Sequence, residues 1–297
     1  MRKTIVVPID FSEASQNAYL YATKVARVTG SSIALLHVID DSIEEDTELL
    51  EAQYQELEYY MNTFASLHTK QQYSGVAIGL NVKTVIERGE VLTTILRYAQ
   101  HPSNSMVIMG ATGTHASVNN TLGRTAYAVA QQAESLVLLV PKTYRFLQLE
   151  RILYVSDYES ADEEIIKQIV CFSRKFYADL NFLHIDQHLT QPKDYQLIKK
   201  QLFKQLPYSG QKPSFKIGSA KNHSIIKGIE EYALRKDIDL IVLVNQERNY
   251  LDTIMKKSLA ADIVEHIQLP VLVYHYVERE NACDDTGNNQ GYAGLLN

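Results

Sequence analysis

The sequence predicts an α/β protein of two tandem units, each an open, doubly wound, parallel five-stranded sheet with helices on both faces. Three observations carry this. Short β-branched apolar runs alternate with helix-patterned segments along the chain, which implies parallel strands joined by right-handed crossovers. The opening "KTIVVPIDFSEAS" is echoed by "RILYVSDYESADE" from Arg151. At 297 residues the chain is long enough for two domains of ordinary size.

In order, "TIVVPI" is too short and too β-branched for a helix and suits a strand buried on both faces. Ser12 or Ser15 is placed to cap the helix "EASQNAYLYATKVARVTG", which closes at Gly30. "SIALLHVI" reads as the second strand, and 41–66, rich in Glu, Gln, Tyr and Leu, as a long amphipathic helix. "GLNVKTVIER" is a third strand, "VLTTILRYAQ" a helix and "SMVIMG" a fourth strand. "TAYAVAQQA" and "SLVLLVP" close the unit as a helix and a fifth strand.

The second copy keeps this order. Asp10 answers to Asp157 and His37 to His184 at one common offset; Ile95 to Ile229 and Gly110 to Asn245 follow at offsets about a dozen residues shorter. The second copy has therefore lost residues from its middle. The expected boundaries are 1–146 and 147–277, with 278–297 a polar tail expected to be disordered.

Composition excludes several functions. The net charge is −6, with no basic cluster to track a phosphate backbone, so no nucleic-acid partner is expected. The apolar start breaks at Pro8 and Asp10 and is no signal peptide, and no run reaches the length of a membrane span. The cysteines, Cys171 and Cys283, form neither a disulfide framework nor a metal pattern. A cytoplasmic location is expected.

The segment "GATGTHASVNNTLGRTAYAVA" joins the fourth strand to a helix, with glycines at 110, 113 and 123. Glycines allow backbone N–H groups to approach an anion, and a helix start adds unpaired donors and a positive dipole end. On spacing alone this is either a phosphate cradle or a flexible turn. Asp10 and Gly110 both end apolar strands, where ligands sit in open α/β sheets.

The chain resembles a tandem member of the universal stress protein family. The resemblance rests on Gly110, Gly113 and Gly123 at the family's spacing, "TIVVPIDFSEAS", the "LLHV" strand, and Gly89 in "VIERGEVLTTIL". It implies a Rossmann-like fold of the adenine nucleotide alpha hydrolase kind and a stress-response or signalling module that binds ATP, alone or with Mg. By the resemblance, Asp10 meets adenine or ribose, the stretch around Val38 lines the base pocket, and Gly110, Gly113 and Gly123 hold phosphate. Pro8, Ile9, Thr114, Arg124 and Thr125 complete the implied binding set.

Arg124 departs from the pattern, because binding members usually carry Ser or Thr after the third glycine. A guanidinium there can clamp phosphate, or it can swing outward and leave a contact missing. Thr125 offers a hydroxyl about 100° further round the helix. In the second half the three glycine positions read Asn245, Arg248 and Ser258, and Gly89 corresponds roughly to His223. Side chains there crowd the approach to phosphate. The second half is thus expected to bind no nucleotide and to pair with the first, with a homodimer as a further arrangement.

Other candidates have plainer readings. His37 and His184 lie within strands and read as packed, hydrogen-bonded core histidines; His115 reads as a solvent-facing loop residue. The densest tyrosine patch, "QYQELEYYMNTF", is a core stripe or a packing face for another subunit or half, and "DDSIEEDTELLEAQ" is a solvated helix start. No nucleophile triad, carboxylate pair, Walker loop or zinc spacing appears, so hydrolysis is expected to be slow at most. The alternatives to a nucleotide module are a scaffold or sensor that acts through protein partners and, less favoured, an ATPase or phosphotransferase.

Overall fold

The computed structural model describes residues 3–40, 47–71, 80–112, 122–155, 163–186, 215–221, 224–246 and 259–276. The chain divides into two compact units, Met1–Arg145 and Phe146–Asn297. Among the described residues no helix is long and apolar enough to cross a membrane.

The first unit runs β1 (Thr4–Pro8), α1 (Glu13–Thr29), β2 (Ser32–Ile39), α2 (Thr47–Gln71), β3 (Val82–Arg88), α3 (Val91–Ala99), β4 (Asn104–Gly110), α4 (Arg124–Gln132) and β5 (Leu136–Val140). Its strands lie in the order β3-β2-β1-β4-β5, and every pair is parallel. The β-branched runs form the central strands: Ile5, Val6 and Val7 of β1 and Val107 and Ile108 of β4 are fully buried.

The helix ends follow local chemistry. Ser12 caps α1 by accepting from the Ser15 N–H, and Gly30 closes it in the left-handed conformation at φ 71°. Two long-range contacts then fix α1. The buried Tyr19 hydroxyl donates to the Ala65 carbonyl at 3.2 Å, which holds α2 against it. Asn17, also buried, donates to the carbonyls of Pro141 at 2.9 Å and Tyr144 at 2.7 Å, tying down the chain that leaves β5. α2 runs on to Gln71, past the expected end at Ser66; residues 41–46 lie outside the described set.

The second unit runs β6 (Arg151–Val155), α5 (Glu163–Lys175), β7 (Asp179–Asp186), β8 (Phe215–Lys221), α6 (Ile225–Lys236) and β9 (Leu240–Gln246). A short α7 (Leu259–Asp262) then passes into a π-helical turn (Ile263–Ile267) before β10 (Val271–Tyr276). Its order is β8-β7-β6-β9-β10, again all parallel. Counted along the chain this is the strand order of the first unit. Asp157, His223, Arg248, Ser258, Cys283 and the tail 278–297 fall outside the described residues.

Candidate functional site

β1 lies between β2 and β4, so the chain departs to one side of β1 and later returns to the other. That is the switch point at which a doubly wound sheet opens a crevice beyond its strand ends. Of the residues singled out from the sequence, Pro8, Ile9, Asp10, Val38 and Gly110 fall at or just beyond the ends of these strands.

Beyond β1 the backbone is held tightly. The Ile9 N–H donates to the Leu36 carbonyl at 2.8 Å. The Ile9 carbonyl lies 2.7 Å from Nδ1 of His37, and since a carbonyl only accepts, that nitrogen carries a proton. Pro8 pairs with Leu36 in the sheet. Asp10 follows and is exposed; its Oδ1 accepts from the Ser12 N–H at 3.1 Å and the Ser12 hydroxyl at 2.6 Å.

Between them Phe11 adopts φ 61°, a left-handed conformation unusual for a bulky residue. Its ring packs on His37 (centroids 5.2 Å apart), on Tyr60 edge-on (4.9 Å) and on Phe64 (6.2 Å). Nothing in the sequence signals this turn, because left-handed phenylalanine has no local pattern. Val38, next along β2, is half-buried and pairs with Glu87 of β3.

Beyond β4 each described glycine has its own reason. A Cβ on Gly110 would lie 2.7 Å from the Ala14 carbonyl carbon and 2.9 Å from the Ala14 Cβ. Close approach of the first turn of α1 therefore demands glycine here, whatever the loop binds. Gly123 closes the neck of the loop: its N–H donates to the Ala111 carbonyl at 2.8 Å, and the Ala111 N–H to Val140 at 2.9 Å. At φ −64° and ψ 143° Gly123 is the N-cap of α4, with no side chain to bond the first-turn N–H groups. By contrast, Ser12 caps α1 and Glu90 caps α3. Arg124 opens α4 and is exposed, without a partner among the described residues; Thr125 is half-buried. Gly113, Thr114 and His115 lie outside the described residues.

Gly89 takes φ 140° and donates its N–H to the Ile39 carbonyl at 3.0 Å, joining the ends of β3 and β2. Nearby, Glu87 accepts from the Tyr98 hydroxyl at 2.5 Å and from Arg97 at 3.0 Å, which hold its carboxyl below the usual range. Burial, then the Glu87 bond, pushes the Tyr98 phenol up to about 12. These contacts brace β3 against α3.

His184 is buried, as expected of a core histidine; His37 is hydrogen-bonded but only half-buried. Asp262, Glu265 and His266 bring one donor atom each within 4.8 Å of one another. Surface carboxylates often gather so without an ion, and no metal is assigned there.

Residues 1–141 match the universal stress protein family. No curated protein matches the sequence. Among solved structures, a universal stress protein from Archaeoglobus fulgidus DSM 4304 superposes with a TM-score of 0.69 at 14% identity, covering 92% of this chain and 98% of that one. A functionally unknown protein from Pseudomonas aeruginosa PAO1 gives 0.55 at 17% identity, covering 92% of each chain. Both likenesses speak to the fold. The universal stress protein UspA from Lactobacillus plantarum is 27% identical over 48% of this chain and 98% of its own, with a TM-score of 0.37.

Proposed function

From the match of residues 1–141 to the universal stress protein family, we propose that the first half of the chain binds ATP as a cytoplasmic stress-response or signalling module. Asp10, with the backbone of Pro8, Ile9 and Val38, takes the nucleoside. The loop of Gly110, Gly113, Thr114 and Gly123, with Arg124 and Thr125, takes the phosphates and any accompanying Mg.

The observation that carries this reading is the start of α4. Its cap, Gly123, has no side chain for the first-turn N–H groups, and it sits where the neck of the glycine loop closes on the end of β4. Unpaired N–H donors at a positive helix end suit an anion, and β4 pairs directly with β1, which leads into Asp10. Gly110 contributes mainly by letting α1 close on β4, and the Gly123 N–H, already bonded to Ala111, is not among the free donors. The activity proposed is binding, with slow hydrolysis at most.

Adenine nucleotide is expected to co-purify with the chain and to be released on denaturation, detected by ultraviolet absorbance and mass spectrometry. A second reading, a scaffold without nucleotide, draws on Tyr54, Tyr59 and Tyr60, exposed along α2 at 40%, 75% and 49%. A preparation free of nucleotide that also fails to bind added ATP would favour it.

A further inference from the structure

We infer that His37, acting with Phe11, is the positioning residue for the nucleoside end of the site; the inference rests on the nucleotide reading above and deepens it. Asp10 is exposed and its Oδ1 accepts from Ser12, two residues on. The backbone on either side of Asp10 sets where that carboxylate starts from.

On the N-terminal side, Ile9 is bonded to β2 through both of its polar groups: its N–H to Leu36 and its carbonyl to the His37 ring. On the C-terminal side, Phe11 is held in a left-handed conformation that its side chain disfavours. Such a conformation persists only where its surroundings over-determine it, and the Phe11 ring is enclosed by His37, Tyr60 and Phe64. His37 touches both flanks of Asp10, by a hydrogen bond before it and a ring contact after it. It also directly precedes Val38, proposed for the base pocket, so one residue sets the spacing between the two nucleoside contacts.

The donor and the ring can be separated by substitution. His37→Asn keeps an N–H near the place of Nδ1 and gives up the ring; His37→Phe keeps a ring and strands the Ile9 carbonyl. Calorimetric titration of the full chain with ATP and with adenosine is the test. His37→Phe is expected to weaken both ligands by the same factor, roughly three- to tenfold, the size of one lost neutral hydrogen bond. His37→Asn should restore most of the affinity, which a purely packing role would not do.

Unchanged adenosine affinity in His37→Phe would overturn the inference while leaving the nucleotide reading intact, as would a loss confined to ATP. Wild-type chain that binds neither ligand would overturn both. If His37→Phe does not fold, Phe11→Gly decides: glycine accepts φ 61° without strain but frees the turn, so adenosine should weaken by a similar factor, and unchanged affinity would sink the idea.

Discussion

On the proposed reading, Arg124 is the residue on which the strength of phosphate binding turns. It occupies the first position of α4, exposed, beside first-turn N–H groups that Gly123 does not cap with a side chain. A guanidinium turned into the loop adds a charge-assisted donor worth about 1.5–3 kcal/mol. Arg124→Ala should then weaken ATP by roughly ten- to a hundredfold and leave adenosine almost untouched. Arg124→Ser should recover much of the loss through its hydroxyl. Calorimetry on the three proteins reads this directly, and tighter ATP binding in either variant would mean that the arginine obstructs the loop. At this scale the sequence was legible in part. Asp10, Gly110 and Gly123 could be picked out by strand ends and spacing. The reasons behind them could not, because the Ala14 contact at Gly110 and the left-handed turn at Phe11 depend on neighbours distant in the chain or on geometry without a local pattern.

At the scale of elements, the junction of α1 with β4 holds the candidate site together. Gly110→Ala would place a methyl 2.7 Å from a backbone carbonyl carbon, an atom that moves only if the start of α1 moves. Overpacking of this kind costs about 1–3 kcal/mol. Urea denaturation of Gly110→Ala should show a lower midpoint at an unchanged slope, and ATP affinity should fall with it, since α1 carries the Asp10–Ser12 turn at its N-terminus. A variant as stable as the wild type would mean that α1 is not tightly seated. The strands were legible because β-branched runs of this length have few alternatives to a buried strand. The end of α2 was not: no glycine or proline interrupts the chain between Ser66 and Gly75, and Thr69, Lys70 and Gln71 continue the helix without a stop signal. The π-helical turn at Ile263–Ile267 is likewise unannounced, because one extra residue per turn leaves little trace in hydrophobic periodicity.

At the scale of the whole chain, two units with one strand order differ in the residues that end their fourth strands. In the first, β4 ends at Gly110 and α1 packs against it with no side chain between. On the repeat alignment, Asn245 stands at that place in β9, paired with His275 of β10. Arg248 and Ser258, at the other two glycine positions, add side chains where a phosphate loop needs bare backbone. The repeat preserves the strand order, and on the proposed reading a single site, in the first half, is expected. ATP titrated into the full chain should saturate at one equivalent. Gly113→Val should abolish binding altogether, because a branched side chain blocks backbone approach and resists tight-turn conformations. Two equivalents in the wild type would refute the asymmetry, and two falling to one in Gly113→Val would place the second working site in the second half. A silent Gly113→Val chain that unfolds at the wild-type urea midpoint would put all nucleotide binding in the first half.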